Sequence, residues 1–249
     1  MAFRLARTIA LTSLTALALA ACGGGGTGDA TAEQPVAAKV AAPAGKTWSD
    51  VAVRTADGGL LIGNPEAPIK VIEFASLTCS ACAKFSADSG EELKKDFIDS
   101  GRVSFELRHF LLNQVDLLAA NVVQCAPPER QYALATNLFA SQEEMFAGAN
   151  AGMQGAQAAM ANQADPARFV KAAEAIGLTS VFQARGMPAE AVKACLSNVA
   201  EVESLVTRNN SWNEQYQIQG TPTFIVNGQS AGSLNWAGLR DQLRAMGAR

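Results

Sequence analysis

The chain contains the stretch Ile69-Lys70-Val71-Ile72-Glu73-Phe74-Ala75-Ser76-Leu77-Thr78-Cys79-Ser80-Ala81-Cys82, and this stretch decides the fold. Its β-branched and aromatic start predicts a buried strand over Ile69–Phe74, and a helical pattern begins at Cys79. Alternating apolar residues at Val103–Arg108 predict a second strand, which His109-Phe110-Leu111 completes. A strand, a helix and a strand within about 45 residues indicate a βαβ unit with a parallel sheet.

The flanking sequence extends this unit on both sides. Upstream, Trp48–Ile62 predicts two short strands joined by a turn at Asp57-Gly58-Gly59. Downstream, helical patterns cover five segments: Leu117–Cys125, Glu129–Phe139, Pro166–Ala175, Ala189–Leu196 and Val199–Tyr216. The end of the chain predicts a strand at Thr223–Val226, a hairpin turn at Asn227-Gly228, a partner strand at Gln229–Gly232 and a helix at Asn235–Met246. This order predicts an α/β thioredoxin fold, βαβ…ββα, with an all-helical domain inserted between its two halves.

The domain boundaries follow from this pattern. We expect the thioredoxin-fold domain to comprise residues 48–112 and 217–249, with the inserted helical domain at 113–216. Residues 23–47 begin with four glycines and show no periodicity, which predicts a flexible tether.

The first 22 residues predict export rather than fold. Arg4 and Arg7 precede an apolar run, Ile9 to Leu19, that is short for a membrane span. Leu19-Ala20-Ala21-Cys22 resembles a lipoprotein signal, in which cleavage precedes Cys22 and the lipid is attached to its thiol. The alternative is an ordinary signal peptide cut near Ala20. Either signal exports the protein, predicting a periplasmic or extracytoplasmic location where disulfides persist.

Composition excludes several classes of protein. The net charge of −3 and the absence of a run of Lys and Arg exclude a nucleic-acid binder. The single histidine, His109, argues against a His-rich metal site, and we expect neither a metal nor a cofactor. His109 itself is interpreted as structural.

The chemistry is predicted at Cys79 and Cys82, whose spacing lets the two sulfurs close a small ring. The start of a helix offers backbone N–H groups and a positive dipole end, which favour the Cys79 thiolate. Two alternatives are half of a zinc site, which would need Cys125, Cys195 or His109 to converge, and a purely structural disulfide.

Two further features support redox chemistry. Glu73 lies six residues before Cys79 and would point beneath the active site, where a buried carboxyl exchanges protons with Cys82. The alternative is a strand-end Glu73 that faces solvent. Thr221-Pro222 precedes a strand beside the CxxC, and a cis proline there would expose the Thr221 backbone to a substrate peptide. The alternative is a trans proline that starts an edge strand.

Three motifs in order resemble the DsbA-like thioredoxin family: Gly63-Asn64-Pro65 running into Ile72-Glu73-Phe74, Cys79-Ser80-Ala81-Cys82, and Gly220-Thr221-Pro222-Thr223-Phe224. The resemblance covers about residues 51–246. It implies that Cys79 is the nucleophile, Cys82 the resolving cysteine, Glu73 the buried acid and Pro222 a cis residue. One departure is Ser-Ala between the cysteines, where the most oxidising members carry Pro-His; this argues against a very strong oxidant.

Cys125 and Cys195 form the remaining pair. An even count in an exported domain suggests a structural disulfide, which some relatives also have; the alternative is two free buried thiols.

We therefore expect a protein thiol–disulfide oxidoreductase acting on exported proteins with free thiols. Oxidation is favoured; the alternatives are a reductase or isomerase kept reduced by its partner, and a non-catalytic adaptor. Further expectations are a membrane redox partner that resets the cysteines, a lipid anchor, no nucleic acid and a monomer.

Overall fold

The structure, a computed structural model, describes residues 36 and 38–248. The expected signal peptide, the lipidation site Cys22 and most of the expected tether lie outside the described residues. Six strands form one sheet: β1 (Ala52–Arg54), β2 (Leu60–Gly63), β3 (Ile69–Ala75), β4 (Val103–His109), β5 (Thr223–Val226) and β6 (Gln229–Gly232). In the described part of the chain the α-helices are α1 (Ser80–Glu92), which continues as a π-helix at Leu93–Ile98, α2 (Gln114–Cys125), α3 (Pro128–Phe139), α4 (Gln142–Ala161), α5 (Arg168–Ala175), α6 (Leu178–Gln183), α7 (Ala189–Ser197), α8 (Val199–Tyr216) and α9 (Trp236–Ala245).

The sheet has the strand order β1-β2-β4-β3-β5-β6. The central pair β3 and β4 is parallel, as the βαβ pattern predicts, and the other neighbours are antiparallel. The carboxyl ends of β3 and β4 therefore lie at the same edge. That edge carries the loop that leads from β3 to the two cysteines.

Seven helices, α2 to α8, lie between β4 and β5 in the described chain, where the sequence predicted five. The two that were missed are α4, which is the longest at 20 residues, and α6. Apart from these, the predicted helices and strands downstream of residue 60 differ from the observed ones by a few residues at their ends.

The beginning of the domain differs from the prediction. Trp48–Asp50 is a short 3-10 turn rather than the start of a strand, and β1 begins at Ala52. The chain already contacts the domain ahead of the expected boundary at residue 48. Val40 donates its N–H to the Ser100 carbonyl at 3.1 Å, and its own carbonyl accepts from the Trp48 indole at 2.8 Å. The end of the segment predicted to be a tether is therefore attached to the fold.

Two hydrophobic clusters cover the two faces of the sheet. Alternate residues of β3, such as Val71 and Ala75, belong to the larger cluster, which also contains side chains of α1, α9 and the helices after β4. Phe74 points to the other face, where Trp212 of α8 lies with its ring centroid 5.7 Å away. The sheet is thus buried on both sides, and a polar group within it is removed from water.

Candidate active site

Cys79 lies at the N-terminus of α1 and is its N-cap residue. The loop from Ser76 to Cys79 is a tight turn, in which the Cys79 N–H donates to the Ser76 carbonyl at 3.1 Å. Cys79 is half-buried and Cys82, one helical turn later, is fully buried. Both are free thiols, so the structure represents the reduced protein. A partner can reach Cys79 but not Cys82.

The surroundings of Cys79 favour its thiolate. Partial burial alone raises the pKa of this thiol, but groups able to donate to its thiolate, namely the Thr221 side chain, the backbone of Cys82 and Ala81 and the Cys82 thiol, lower it. The net effect is a pKa below the ordinary thiol value. This is the effect expected of N–H groups at the start of a helix.

The surroundings of Cys82 have the opposite effect. Burial raises the pKa of the Cys82 thiol strongly, and the negative charges of Glu73 and Cys79 raise it further. Cys79 is therefore the more readily ionised of the two thiols, and Cys82 holds its proton more tightly. The two cysteines are chemically unequal although only two residues separate them.

Glu73 lies in β3 between Leu107 of β4 and Phe224 of β5, and its side chain is buried. Its Oε1 atom has no hydrogen-bond partner among the described residues. Burial, and then the charge on Cys79, raises the pKa of Glu73 to about 8. The carboxyl therefore points into the interior, as one of the two sequence interpretations required, and a pKa of about 8 would let it take up or release a proton close to neutral pH.

Thr221 and Pro222 lie beside the sulfurs, joined by a cis peptide bond. The Cys79 thiol donates to the Thr221 carbonyl at 3.1 Å. The Thr221 hydroxyl is buried and has no fixed acceptor among the described residues. It is therefore available to donate to a sulfur once that sulfur is charged.

A shallow cavity of about 210 Å³ adjoins Pro222. Phe85 of α1 and Leu234, which precedes α9, form its apolar walls, while Lys84 and Asp88 lie at its edge and form an ion pair at 2.9 Å. An extended peptide next to Pro222 would contact this apolar surface.

Sequence reasoning missed three polar residues at the site: Asn113, Asp116 and Gln142. The buried Asp116 carboxylate accepts from the hydroxyls of Ser76 and Thr78, and from the N–H groups of Thr78 and Leu112, at 2.9–3.0 Å. Burial raises the pKa of Asp116, although these hydrogen bonds oppose the shift. Asn113 caps α2 and also donates to the Thr78 hydroxyl at 2.8 Å. The pattern Asn113-x-x-Asp116 at the start of a helical segment was the available signal.

The other candidate residues lie elsewhere. Cys125 and Cys195 are joined by a disulfide that links the end of α2 to α7, with Cα atoms 6.0 Å apart. His109 is buried at the end of β4, and burial lowers its pKa to about 4, so it is neutral. No described group of three or more His, Cys, Asp or Glu side chains is arranged to hold a metal ion. Within the described residues, no helix combines the length and the apolar character that a membrane crossing requires.

Comparisons with known proteins agree with the fold described above. A family profile described as thioredoxin matches residues 55–245. A solved protein-disulfide isomerase from Novosphingobium aromaticivorans is 31% identical, with a TM-score of 0.68 over 74% of this chain and 95% of that one. Wolbachia pipientis alpha-DsbA1 is 21% identical, with a TM-score of 0.57 over 75% of this chain and 89% of that one, and it shows the shared fold alone.

The chain is also similar in sequence to curated proteins named as protein-disulfide oxidoreductases. A Rickettsia felis protein whose name assigns it to the protein-disulfide oxidoreductases is 27% identical over 183 residues, which is 74% of this chain. The chain spans 58% of the length of that relative. Together with the strand order, these likenesses confirm the predicted thioredoxin fold with inserted helices and the resemblance to DsbA-like proteins.

Proposed function

The chain belongs to the thioredoxin family, and we propose that it is a thiol–disulfide oxidoreductase that oxidises the thiols of exported proteins through Cys79 and Cys82. One observation carries the proposal. An accessible thiol whose pKa is lowered stands one helical turn from a buried thiol whose pKa is raised, above a buried carboxyl that titrates near pH 8. A non-catalytic adaptor on the same scaffold would not need two cysteines with such different thiol pKa values.

The first step is attack by a substrate thiolate on Cys79 Sγ of the Cys79–Cys82 disulfide. The new bond joins the substrate sulfur to Cys79, and the electron pair of the broken S–S bond leaves on Cys82. Because Cys82 is buried and strongly disfavours charge, it takes a proton as it leaves. Glu73, protonated below about pH 8, is the acid that supplies it.

In the second step another substrate thiolate attacks the substrate sulfur of this mixed disulfide. Cys79 then leaves as the thiolate that its hydrogen bonds stabilise. The substrate has lost two electrons and gained a disulfide, while the protein has become the dithiol. We propose that a membrane redox partner takes these two electrons and restores the disulfide.

Substrate docking is assigned to Thr221 and Pro222. The Thr221 carbonyl beside Cys79 and the apolar cavity next to Pro222 suit an extended, partly unfolded chain better than a folded surface.

The remaining parts of the proposal come from the sequence. Leu19-Ala20-Ala21-Cys22 supports export and a lipid anchor at Cys22, so the protein would act at the extracytoplasmic face of the membrane. The helical pattern supports residues 113–216 as the inserted domain. We propose that Cys125–Cys195 is structural and that the protein acts as a monomer.

Isomerisation of wrong disulfides is a second candidate, because the solved relative from Novosphingobium aromaticivorans is named a protein-disulfide isomerase. The choice of substrate distinguishes the two activities, oxidation of thiols and isomerisation of wrong disulfides. An oxidase in its disulfide form acts on a reduced dithiol peptide, whereas an isomerase in its dithiol form restores activity to a scrambled, fully oxidised protein.

The roles of the two cysteines are tested with Cys82→Ser and Cys79→Ser. We expect Cys82→Ser to accumulate mixed disulfides with substrate proteins, because no thiol remains to displace them, and Cys79→Ser to form none. Non-reducing electrophoresis followed by mass spectrometry of the adducts measures both. Adducts on the Cys79→Ser variant instead would reverse the assignment.

A further inference from the structure

The loop before the active-site helix is held by a side chain from the inserted helices. Gln142 is the first residue of α4 and is buried. Its Nε2 atom donates to the Leu77 carbonyl at 2.8 Å and to the Cys79 carbonyl at 2.9 Å. Both hydrogens of one amide nitrogen are thereby used on the two carbonyls that flank Thr78.

These two hydrogen bonds act on the backbone of the nucleophile itself. Cys79 has a ψ of 120°, an extended value that turns its carbonyl toward Gln142 while α1 starts immediately afterwards. The torsion ψ relates the Cys79 side chain to the peptide groups that follow it. Fixing the carbonyl oxygen therefore fixes the direction of the Cys79 Cα–Cβ bond, from which Sγ extends, relative to the N–H groups of Ala81 and Cys82.

The hydroxyls and N–H groups of the loop before α1 are bound by other side chains, whereas Gln142 binds the carbonyls of Leu77 and Cys79. Asp116 accepts from the hydroxyls of Ser76 and Thr78 and from the Thr78 N–H, and Asn113 donates to the Thr78 hydroxyl. The Cys79 carbonyl also accepts from the N–H of Ala83 at 3.1 Å, which is the first helical hydrogen bond of α1.

We propose that Gln142 is a positioning residue that holds Cys79 in the orientation from which it reacts, so that the inserted helices set the redox properties of the active site. The inference rests on the proposed oxidoreductase function. It extends that function to a residue that touches neither substrate nor either sulfur.

The test replaces Gln142 by Met, which has a similar length and no donor. The chain provides a matched control in Gln131, a buried glutamine whose Nε2 atom donates to the carbonyls of Gln124 and Ala126 at 3.0 and 2.7 Å. Gln142→Met and Gln131→Met therefore each remove two hydrogen bonds of the same kind. Only the first touches the active-site loop.

We expect Gln142→Met to raise the pKa of Cys79 by about half to one unit, which lowers the thiolate fraction below that pKa by about three- to tenfold. The reduction potential should become more negative, since a less stable thiolate makes the disulfide a weaker oxidant. Gln131→Met should lose stability without either change. The readouts are the pH dependence of Cys79 alkylation, followed by mass spectrometry, and the equilibrium with a glutathione buffer.

A second variant keeps the inference testable if Gln142→Met folds poorly. The ammonium of Gln142→Lys supplies donors to the same carbonyls, so the Cys79 pKa should stay at or below the wild-type value. A Cys79 pKa unchanged in Gln142→Met, or raised equally in Gln142→Met and Gln142→Lys, would overturn the inference. Alkylation needs no substrate, whereas failure of the wild-type chain to oxidise a dithiol peptide would contradict the proposed function alone.

Discussion

Glu73 is a carboxyl placed where its charged form is disfavoured. Leu107 and Phe224 flank it in the sheet, and no hydrogen bond reaches its Oε1 atom from the described residues. A carboxylate without a function at this position would only destabilise the folded protein, since an unpaired buried charge is costly. The proposed proton exchange with Cys82, whose pKa the charge on Glu73 raises, would account for its presence.

We predict that Glu73→Gln changes the pH dependence of stability. Below pH 4.5, the ordinary value, the carboxyl is protonated in the folded and unfolded protein alike. Above it the unfolded chain releases a proton that the folded chain keeps until about pH 8, so wild-type stability falls across this window. At about 1.4 kcal/mol per pKa unit, the reduced variant should gain a few kcal/mol relative to wild type between those limits.

Urea unfolding of both reduced proteins at several pH values measures this difference. His109 contributes equally to both proteins and cancels from the comparison. Its own effect has the opposite sign, because its lowered pKa makes stability fall as pH drops from 6.5 toward 4. A constant difference between Glu73→Gln and wild type across pH would mean that the carboxyl is not buried as described.

The site residues were predictable from sequence to different degrees. Cys79, Cys82 and Glu73 lie on one strand–loop–helix, so their spacing alone placed them together. Gln142 reaches the same loop from 63 residues further along the chain, and a glutamine that begins an unpredicted helix shows no recognisable pattern. Side chains that support a site from distant elements depend on packing that only the tertiary structure shows.

At the scale of the elements, α4 shows why part of the fold was missed. Its buried residues are Gln142, Met145, Ala149 and Ala156, so its inner face has little hydrophobic signal. It also contains three glycines, which lower helix propensity. α6 has six residues, too few for a periodic pattern. β4 differs in another way: polar residues alternate with apolar ones along it, yet the whole strand is buried, with Arg108 paired to Glu106 at 2.7 Å.

We predict that Gly152→Ala destabilises the protein because α4 and α5 approach each other closely at this glycine. A Cβ atom at Gly152 would lie 1.8 Å from the Ala175 carbonyl oxygen, so the helices would have to separate. The expected loss is about 2–3 kcal/mol, typical of overpacking. The control is Gly90→Ala in α1, where nothing lies within 4 Å of the added atom. That variant should gain about 0.5–1 kcal/mol from helix propensity. Chemical denaturation compares them, and changes of the same sign would refute the packing argument.

At the scale of the whole molecule, the inserted helices and the sheet share one large hydrophobic cluster. α2 contacts the active-site loop at one end and carries a disulfide at the other. Its N-terminal end, at Asn113 and Asp116, binds the active-site loop, and its last residue, Cys125, forms the disulfide to α7. Cys125 follows Asp116 by nine positions in the helix, which is about 14 Å along the axis. The contacts to the active-site loop and the disulfide therefore lie at opposite ends of one helix.

This separation predicts that removing the disulfide affects stability and not activity. Cys125 and Cys195 are 70 residues apart, and opening a loop of this length costs about 4 kcal/mol in the chain-entropy model. The double variant Cys125→Ala/Cys195→Ala should therefore unfold at clearly lower denaturant concentration while oxidising a dithiol peptide at close to the wild-type rate under native conditions. Both cysteines are replaced together because a single replacement would leave a free thiol able to pair with Cys79. If the double variant also shows the raised Cys79 pKa expected of Gln142→Met, then α2 transmits strain along its length, and the disulfide belongs to the redox site as much as to the fold.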